Sequence, residues 1–198
     1  MLDPFSDGVQ FKLDSQHSGQ STSCVRRLQV FGLHNVVNPV FIARMSTHPL
    51  NVVLVHPGIP QNTGAIGRLC VGLDARLHLI RPLCFAITDR NIQRAGLDYW
   101  EHLDITIHGD WEQFLKTESP EQLCFASTKG HQSYLDCDYS QGCYLVFGSE
   151  SHGLPDTFYE TYADALYRIP MPGEHARSIN LANSVAIVMY EAYRQQQA

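Results

Sequence analysis

No stretch of this chain approaches the roughly 20 apolar residues that a membrane-crossing helix needs. Its first residues, with Asp3 and Asp7, also lack the basic-then-apolar order of a secretory signal. No membrane partner is therefore expected. Cysteine is present but never suitably spaced. Cys24, Cys70, Cys84, Cys124, Cys137 and Cys143 form no C-x-x-C and have no partnered histidine spacing, so neither zinc nor a disulfide framework is expected. Free thiols placed in strand-like and helical runs act as small hydrophobes and suit a reducing, cytoplasmic setting. Positive charge is scarce: 14 Lys and Arg stand against 20 Asp and Glu, a formal charge of −6. That balance argues against an indiscriminate nucleic-acid binder and leaves room only for a local basic patch. The G-x-G-x-x-G and G-x-x-x-x-G-K-[ST] fingerprints are both missing, which removes the two common nucleotide-binding turns.

What remains is a chain of 198 residues, 44% hydrophobic and 17% charged, long enough for one well-filled core. Residues 1–48 differ from the rest. They are polar and small around Asp14 to Ser23, then apolar without a period, and are expected to be a poorly ordered or non-native extension ahead of a domain at 49–198. From Leu50 the pattern changes to short buried runs alternating with helical ones. Strands are expected at Leu50–Val55, Arg76–Ile80, Leu103–His108, Leu123–Ser127 and Gly142–Phe147. Helices are expected after Asn62, over Thr88–Gly96, over Trp111–Lys116 and from Ser178 onward. This order predicts an α/β fold with a mostly parallel sheet flanked by helices.

Three loops carry the candidate chemistry. Pro60 to Arg68 opens a helix with Asn62, Thr63 and Gly64, where an N-cap at Asn62 or Thr63 would leave N–H groups for an anion and place Arg68 little more than a turn away. Gly148 to Pro155 has two glycines that permit a sharp turn. Glu150 is read as a brace for its own loop, and His152 as a bystander. Ile169 to Ser184 joins a short apolar run to the last helix through Pro170, Pro172 and Gly173, with Ser178 as the expected N-cap. An aromatic pair, Tyr99 and Trp100, is read as a subunit contact. Arg68, Arg76, Arg81, Arg90 and Arg94 concentrate positive charge in one part of the chain.

These segments resemble the SPOUT superfamily of methyltransferases, and within it the small SpoU-type tRNA 2′-O-methyltransferases that modify the wobble cytidine or uridine. The first family motif appears as Asn62, Gly64 and Arg68. The second is Phe147-Gly148-Ser149-Glu150 with Gly153-Leu154-Pro155, and the third is Ile169-Pro170-Met171 with Arg177-Ser178-Ile179-Asn180-Leu181. Arg94 to Tyr99 is typical of the wobble-nucleotide branch, and the likeness runs from about Leu50 to Arg194. The resemblance implies a C-terminal deep trefoil knot, S-adenosylmethionine as cofactor without a metal, tRNA as substrate and a homodimer. It implies catalytic roles for Arg68, Asn62, Ser178 and Asn180. It implies cofactor contacts from Ala126, Ser127, Gly148, Glu150, Gly153, Ile169, Met171, Ser178 and Leu181. An acidic chain that binds tRNA must do so through a local basic patch, so RNA contacts are expected from Arg68, Arg76, Arg90 and Arg94. The loop from Pro172 to Ala176 is one residue longer than this branch leads one to expect, which would bring His175 near the site. Alternatives are a SpoU-type enzyme acting on another tRNA or ribosomal nucleotide, and a non-catalytic RNA-binding protein that kept the fold.

Overall fold

Leu50–Val55 forms β1, and all six of its residues are buried: its valines and leucines because both faces of the strand are covered, and Asn51 with its amide donating to the Gly142 carbonyl at 3.2 Å. The computed structural model describes residues 48–87 and 99–198. The expected helix at Thr88–Gly96, with Arg90 and Arg94, and the expected extension up to residue 47 lie outside the described residues.

The remaining elements follow as α1 (Pro60–Gly72), β2 (Ala75–Ile80), β3 (Ile105–His108), α2 (Trp111–Glu118), β4 (Leu123–Ala126), β5 (Gln132–Ser133), β6 (Cys143–Phe147), α3 (Asp156–Thr161), β7 (Leu166–Arg168) and α4 (Leu181–Gln196). Short 3₁₀ turns lie at Trp100–His102, Tyr134–Asp136 and Ala163–Ala165. The strands form one sheet in the order β3-β2-β1-β6-β4-β7-β5, and every pairing within it is parallel. β3 starts later than the alternation predicts because the turn at Trp100–His102 ends against α1. A Cβ added to Gly67 would meet the Leu103 side chain at 2.9 Å, so this close approach uses the missing side chain.

Side chains alternate across the strands and divide the interior in two. On one face Leu50, Val52, Leu54, Leu77, Leu79 and Leu145 pack with Ile66 and Cys70 of α1 and Val185 and Met189 of α4. On the other, Val53, Val55, Ile80, Phe125 and Val146 pack with Phe114 of α2 and Phe158 of α3. Aromatic rings knit this second face: Phe125 and Tyr162 stack at 4.4 Å, and Trp111 Nε1 donates to the Tyr162 hydroxyl at 2.9 Å.

The second face also holds polar groups. His78 and His108 are 0% and 2% exposed. Burial, and next the Arg76 charge, lower the His78 pKa to about 2, and the same two causes lower that of His108. Arg76, one of the concentrated arginines expected to contact RNA, lies among these polar groups. The Arg76 guanidinium bonds Glu118 Oε2 at 3.0 Å, Asp104 Oδ1 at 3.3 Å and Thr106 Oγ1 at 2.8 Å, with the side chain 16% exposed. Two carboxylates thus hold this guanidinium against the ends of β3 and α2.

Candidate active site

The loops leaving β1, β4, β6 and β7 meet at the C-terminal ends of the strands, where open parallel sheets leave a crevice for ligands. The loop after β6 is a tight hairpin in which Ser149 and Gly153 exchange two backbone hydrogen bonds of 2.9 Å. A Cβ on Gly148 would lie 2.0 Å from the Gly153 carbonyl carbon, so only glycine allows this closure.

The hairpin aims Glu150 at α1 rather than at its own loop, correcting the expected brace. Glu150 Oε2 accepts from Gly58 N at 2.8 Å, and Oε1 accepts from Ile59 N at 3.3 Å and Asn62 Nδ2 at 2.9 Å. α1 begins at Pro60 with Ile59 as N-cap, ahead of the expected Asn62 or Thr63. Asn62 and Thr63 therefore lie inside the helix, buried. Pro60 suits the first helical position because it has no N–H to satisfy. Ile59 has no capping side-chain oxygen, and the remote Glu150 carboxylate accepts from the N–H groups of Gly58 and Ile59 just ahead of the helix, the part that a capping-box glutamate plays from within one. The carboxylate beside this N-terminus is thus supplied by the protein itself.

The chain of contacts continues across the cavity. Asn62 Oδ1 accepts from Asn180 Nδ2 at 3.0 Å, and Asn180 Oδ1 accepts from the N–H groups of Ala182 and Asn183 at 2.9 and 3.3 Å. Asn180, not Ser178, is the N-cap of α4, because its oxygen reaches the second and third helical N–H groups. Glu150, Asn62 and Asn180 thereby tie together three segments that are far apart in sequence.

Beside this chain lies a cavity of about 420 Å³. All nine residues expected to contact cofactor line it: Ala126, Ser127, Gly148, Glu150, Gly153, Ile169, Met171, Ser178 and Leu181. Asn62 and Asn180 line it too, whereas Arg68 does not. Arg68 is exposed on α1 with its guanidinium 4.7 Å from the centre of the Tyr99 ring. Several lining residues stand outside the nine expected contacts: Ser149, which lies within the second motif, and Lys129, Tyr159 and His152, which lie outside the quoted motif residues. Lys129 Nζ sits 4.0 Å from the Tyr159 ring centre, and the Tyr159 hydroxyl is 3.3 Å from Ser127 Oγ. Nothing in the local sequence marks Tyr159, since α3 is a short helix and this residue's contacts are tertiary. His152, read from the sequence as a bystander, lines the cavity with Nδ1 2.7 Å from Ser151 Oγ. His175 is exposed and does not line it.

The SpoU rRNA Methylase family matches residues 49–190. The chain belongs to this family. Among its relatives, the tRNA (cytidine(34)-2′-O)-methyltransferase of Escherichia coli K12 is 46% identical over 147 residues, 74% of this chain and 93% of that protein. The protein of the same description from Burkholderia ambifaria is 44% identical, over 73% of this chain and 94% of its own. A solved structure described as "Structural insights into the 2-OH methylation of C/U34 on tRNA" is 42% identical with a TM-score of 0.69, covering 75% of this chain and 96% of that one. A SpoU methyltransferase from Streptomyces viridochromogenes, solved in complex with AdoMet, is 26% identical with a TM-score of 0.66, covering 78% and 64%. The mostly parallel sheet with its flanking helices is the fold that these SpoU methyltransferases share. Among the described residues, no helix is long and apolar enough to cross a membrane.

Proposed function

We propose that this chain transfers a methyl group from S-adenosylmethionine to the ribose 2′-hydroxyl of nucleotide 34, a cytidine or uridine, of tRNA. The observation that carries this reading is the cavity itself, with Glu150, Asn62 and Asn180 bonded in series along its edge, in a chain 46% identical to an enzyme named for that reaction.

The residues present fit the cofactor. The cavity is of ligand size, with apolar walls from Leu154, Ile169 and Met171 and polar groups from Ser127, Ser149 and Ser178. When bound, S-adenosylmethionine supplies a sulfonium methyl that needs no metal to leave. The protein's part is then positioning, holding the ribose oxygen in line with the methyl at roughly 3–3.5 Å. The Glu150–Asn62–Asn180 chain fixes the edge of the cavity against α1 and α4, so the two motif loops keep one geometry. Arg68 stays protonated and is a poor base. Its role is to bind the phosphate beside the target ribose and orient the hydroxyl, with the proton passing to phosphate or water. Because Arg68 lies outside the cavity of its own chain, the working unit is a homodimer in which Arg68 of one protomer serves its partner's cofactor. Exposed Tyr190 and Tyr193 on α4, at 56% and 42%, support a face that a second copy covers. β4 lies between β6 and β7 in the sheet, so the chain must travel back for α4 to pack on β1 and β6. That return supports a trefoil threading of residues 169–181 through the loop after β6, and an experimental chain trace passing outside that loop would refute it.

Calorimetry with chelator-treated protein tests the cofactor assignment: S-adenosylmethionine or its demethylated product is expected to bind, and no heat at millimolar ligand would sink the enzymatic reading. RNA contact is assigned to Arg68, Arg90 and Arg94. Arg90→Ala with Arg94→Ala is expected to weaken tRNA binding and to flatten the log–log salt dependence by roughly 0.7–0.9 for each phosphate no longer neutralised, with cofactor affinity unchanged. An unchanged slope would place the RNA elsewhere.

A further inference from the structure

His78 and His108 face the same side of the sheet from neighbouring strands. His78 is in register with Thr106, two residues before His108. Glu118, at the end of α2, closes over them. His78 Nδ1 lies 3.1 Å from His108 Nε2, and Glu118 Oε1 is 3.9 Å from the first nitrogen and 4.0 Å from the second. Those last separations are too long for hydrogen bonds. Among the described residues Oε1 has no hydrogen-bond partner, while Oε2 is held by Arg76 at 3.0 Å. Three donor atoms with these spacings share a point about 2.15 Å from each, in the plane of the three, so a shift of a few tenths of an ångström in Glu118 would seat a zinc ion at its usual distances to imidazole nitrogen and carboxylate oxygen.

We propose that His78, His108 and Glu118 hold a divalent transition-metal ion, zinc first, as a staple joining β2, β3 and α2. Two imidazoles with one carboxylate suit zinc or cobalt and not magnesium or calcium, which take oxygen ligands. The Arg76 bond to Oε2 fixes the Glu118 carboxylate with Oε1 turned inward, the orienting part that outer-sphere partners play at metal sites. The Glu118 side chain is 9% exposed, which gives an ion and a completing water a way in. The site lies on the sheet face opposite α1 and α4 and is independent of the methyl-transfer reading. Sequence spacing does not reveal it, because its ligands lie on three separate elements.

The full chain, stripped with chelator and dialysed, is titrated with Zn²⁺ and with Co²⁺. One equivalent is expected to remain after gel filtration, cobalt is expected to give the visible bands of a four-coordinate site, and the ring ¹⁵N resonances of His78 and His108 are expected to move together. Glu118→Gln with His108→Gln is expected to weaken zinc binding at least tenfold. The wild-type resonances decide the matter if that variant fails to fold. Unmoved His78 and His108 signals at stoichiometric zinc would overturn the proposal and leave a hydrogen-bonded histidine pair, even if metal bound elsewhere.

Discussion

Arg68→Ala is expected to lower methyl transfer to tRNA by at least about a hundredfold while leaving S-adenosylmethionine affinity nearly unchanged. The size follows from removing one preorganised charged donor from a reacting centre, which typically costs roughly 10²–10³ in turnover. The selectivity follows from placement. Arg68 is exposed on α1, it does not line the cavity of its own chain, and among the described residues its side chain meets the Tyr99 ring and no carboxylate. Neither the cavity wall nor the hydrogen-bonded chain at its edge changes when the side chain is shortened. Single-turnover rates at saturating cofactor, set beside calorimetric affinities, separate the two effects. A variant that lost cofactor but kept its rate at saturation would show that Arg68 builds the pocket instead. Mixing Arg68→Ala protomers with protomers disabled in the cavity is expected to restore activity at one site per heterodimer, as an arginine acting across the interface requires.

Glu150→Ala is expected to act the other way, on the scaffold before the chemistry. The carboxylate accepts three hydrogen bonds, two from the backbone ahead of α1 and one from Asn62. Hydrogen bonds to a charged group each contribute roughly 1.5–3 kcal/mol, but these are partly exposed, share one acceptor and can be replaced in part by water. A net loss of about 2 kcal/mol is the reasonable figure. For a chain of this length that corresponds to a fall in Tm of about 4–8 °C. Asn62 then loses the partner of its amide, and its contact to Asn180 at the head of α4 loosens with it. Cofactor affinity is therefore expected to drop at least tenfold by calorimetry, with Glu150→Gln intermediate. A Glu150→Ala protein with unchanged Tm and cofactor affinity would show that the chain of contacts is incidental.

The contrast between these residues shows what a sequence can and cannot convey here. β1 is readable because six consecutive buried residues leave no competing period, and it falls at Leu50–Val55 as expected. The nine cavity residues follow from motif resemblance, and the fold brings them together because they follow the ends of three parallel strands. The caps are not legible in this way. Asn62, Thr63 and Ser178 are all good capping types, but the side chain that completes the start of α1 comes from Glu150, 91 residues from Ile59. The partners of Arg76 are hidden for the same reason, since Asp104 and Glu118 lie 28 and 42 residues away. Local spacing marks elements and some loops. It does not reveal which distant charge will satisfy a given group, and that is where this site is assembled.

The measurement that tests the account most directly is position-resolved ribose methylation of purified tRNA incubated with this protein and S-adenosylmethionine. The expected result is 2′-O-methylation at nucleotide 34, on cytidine or uridine, that persists in chelator and disappears with Arg68→Ala. Methylation confined to another nucleotide, or none in the presence of demonstrated cofactor binding, would contradict it.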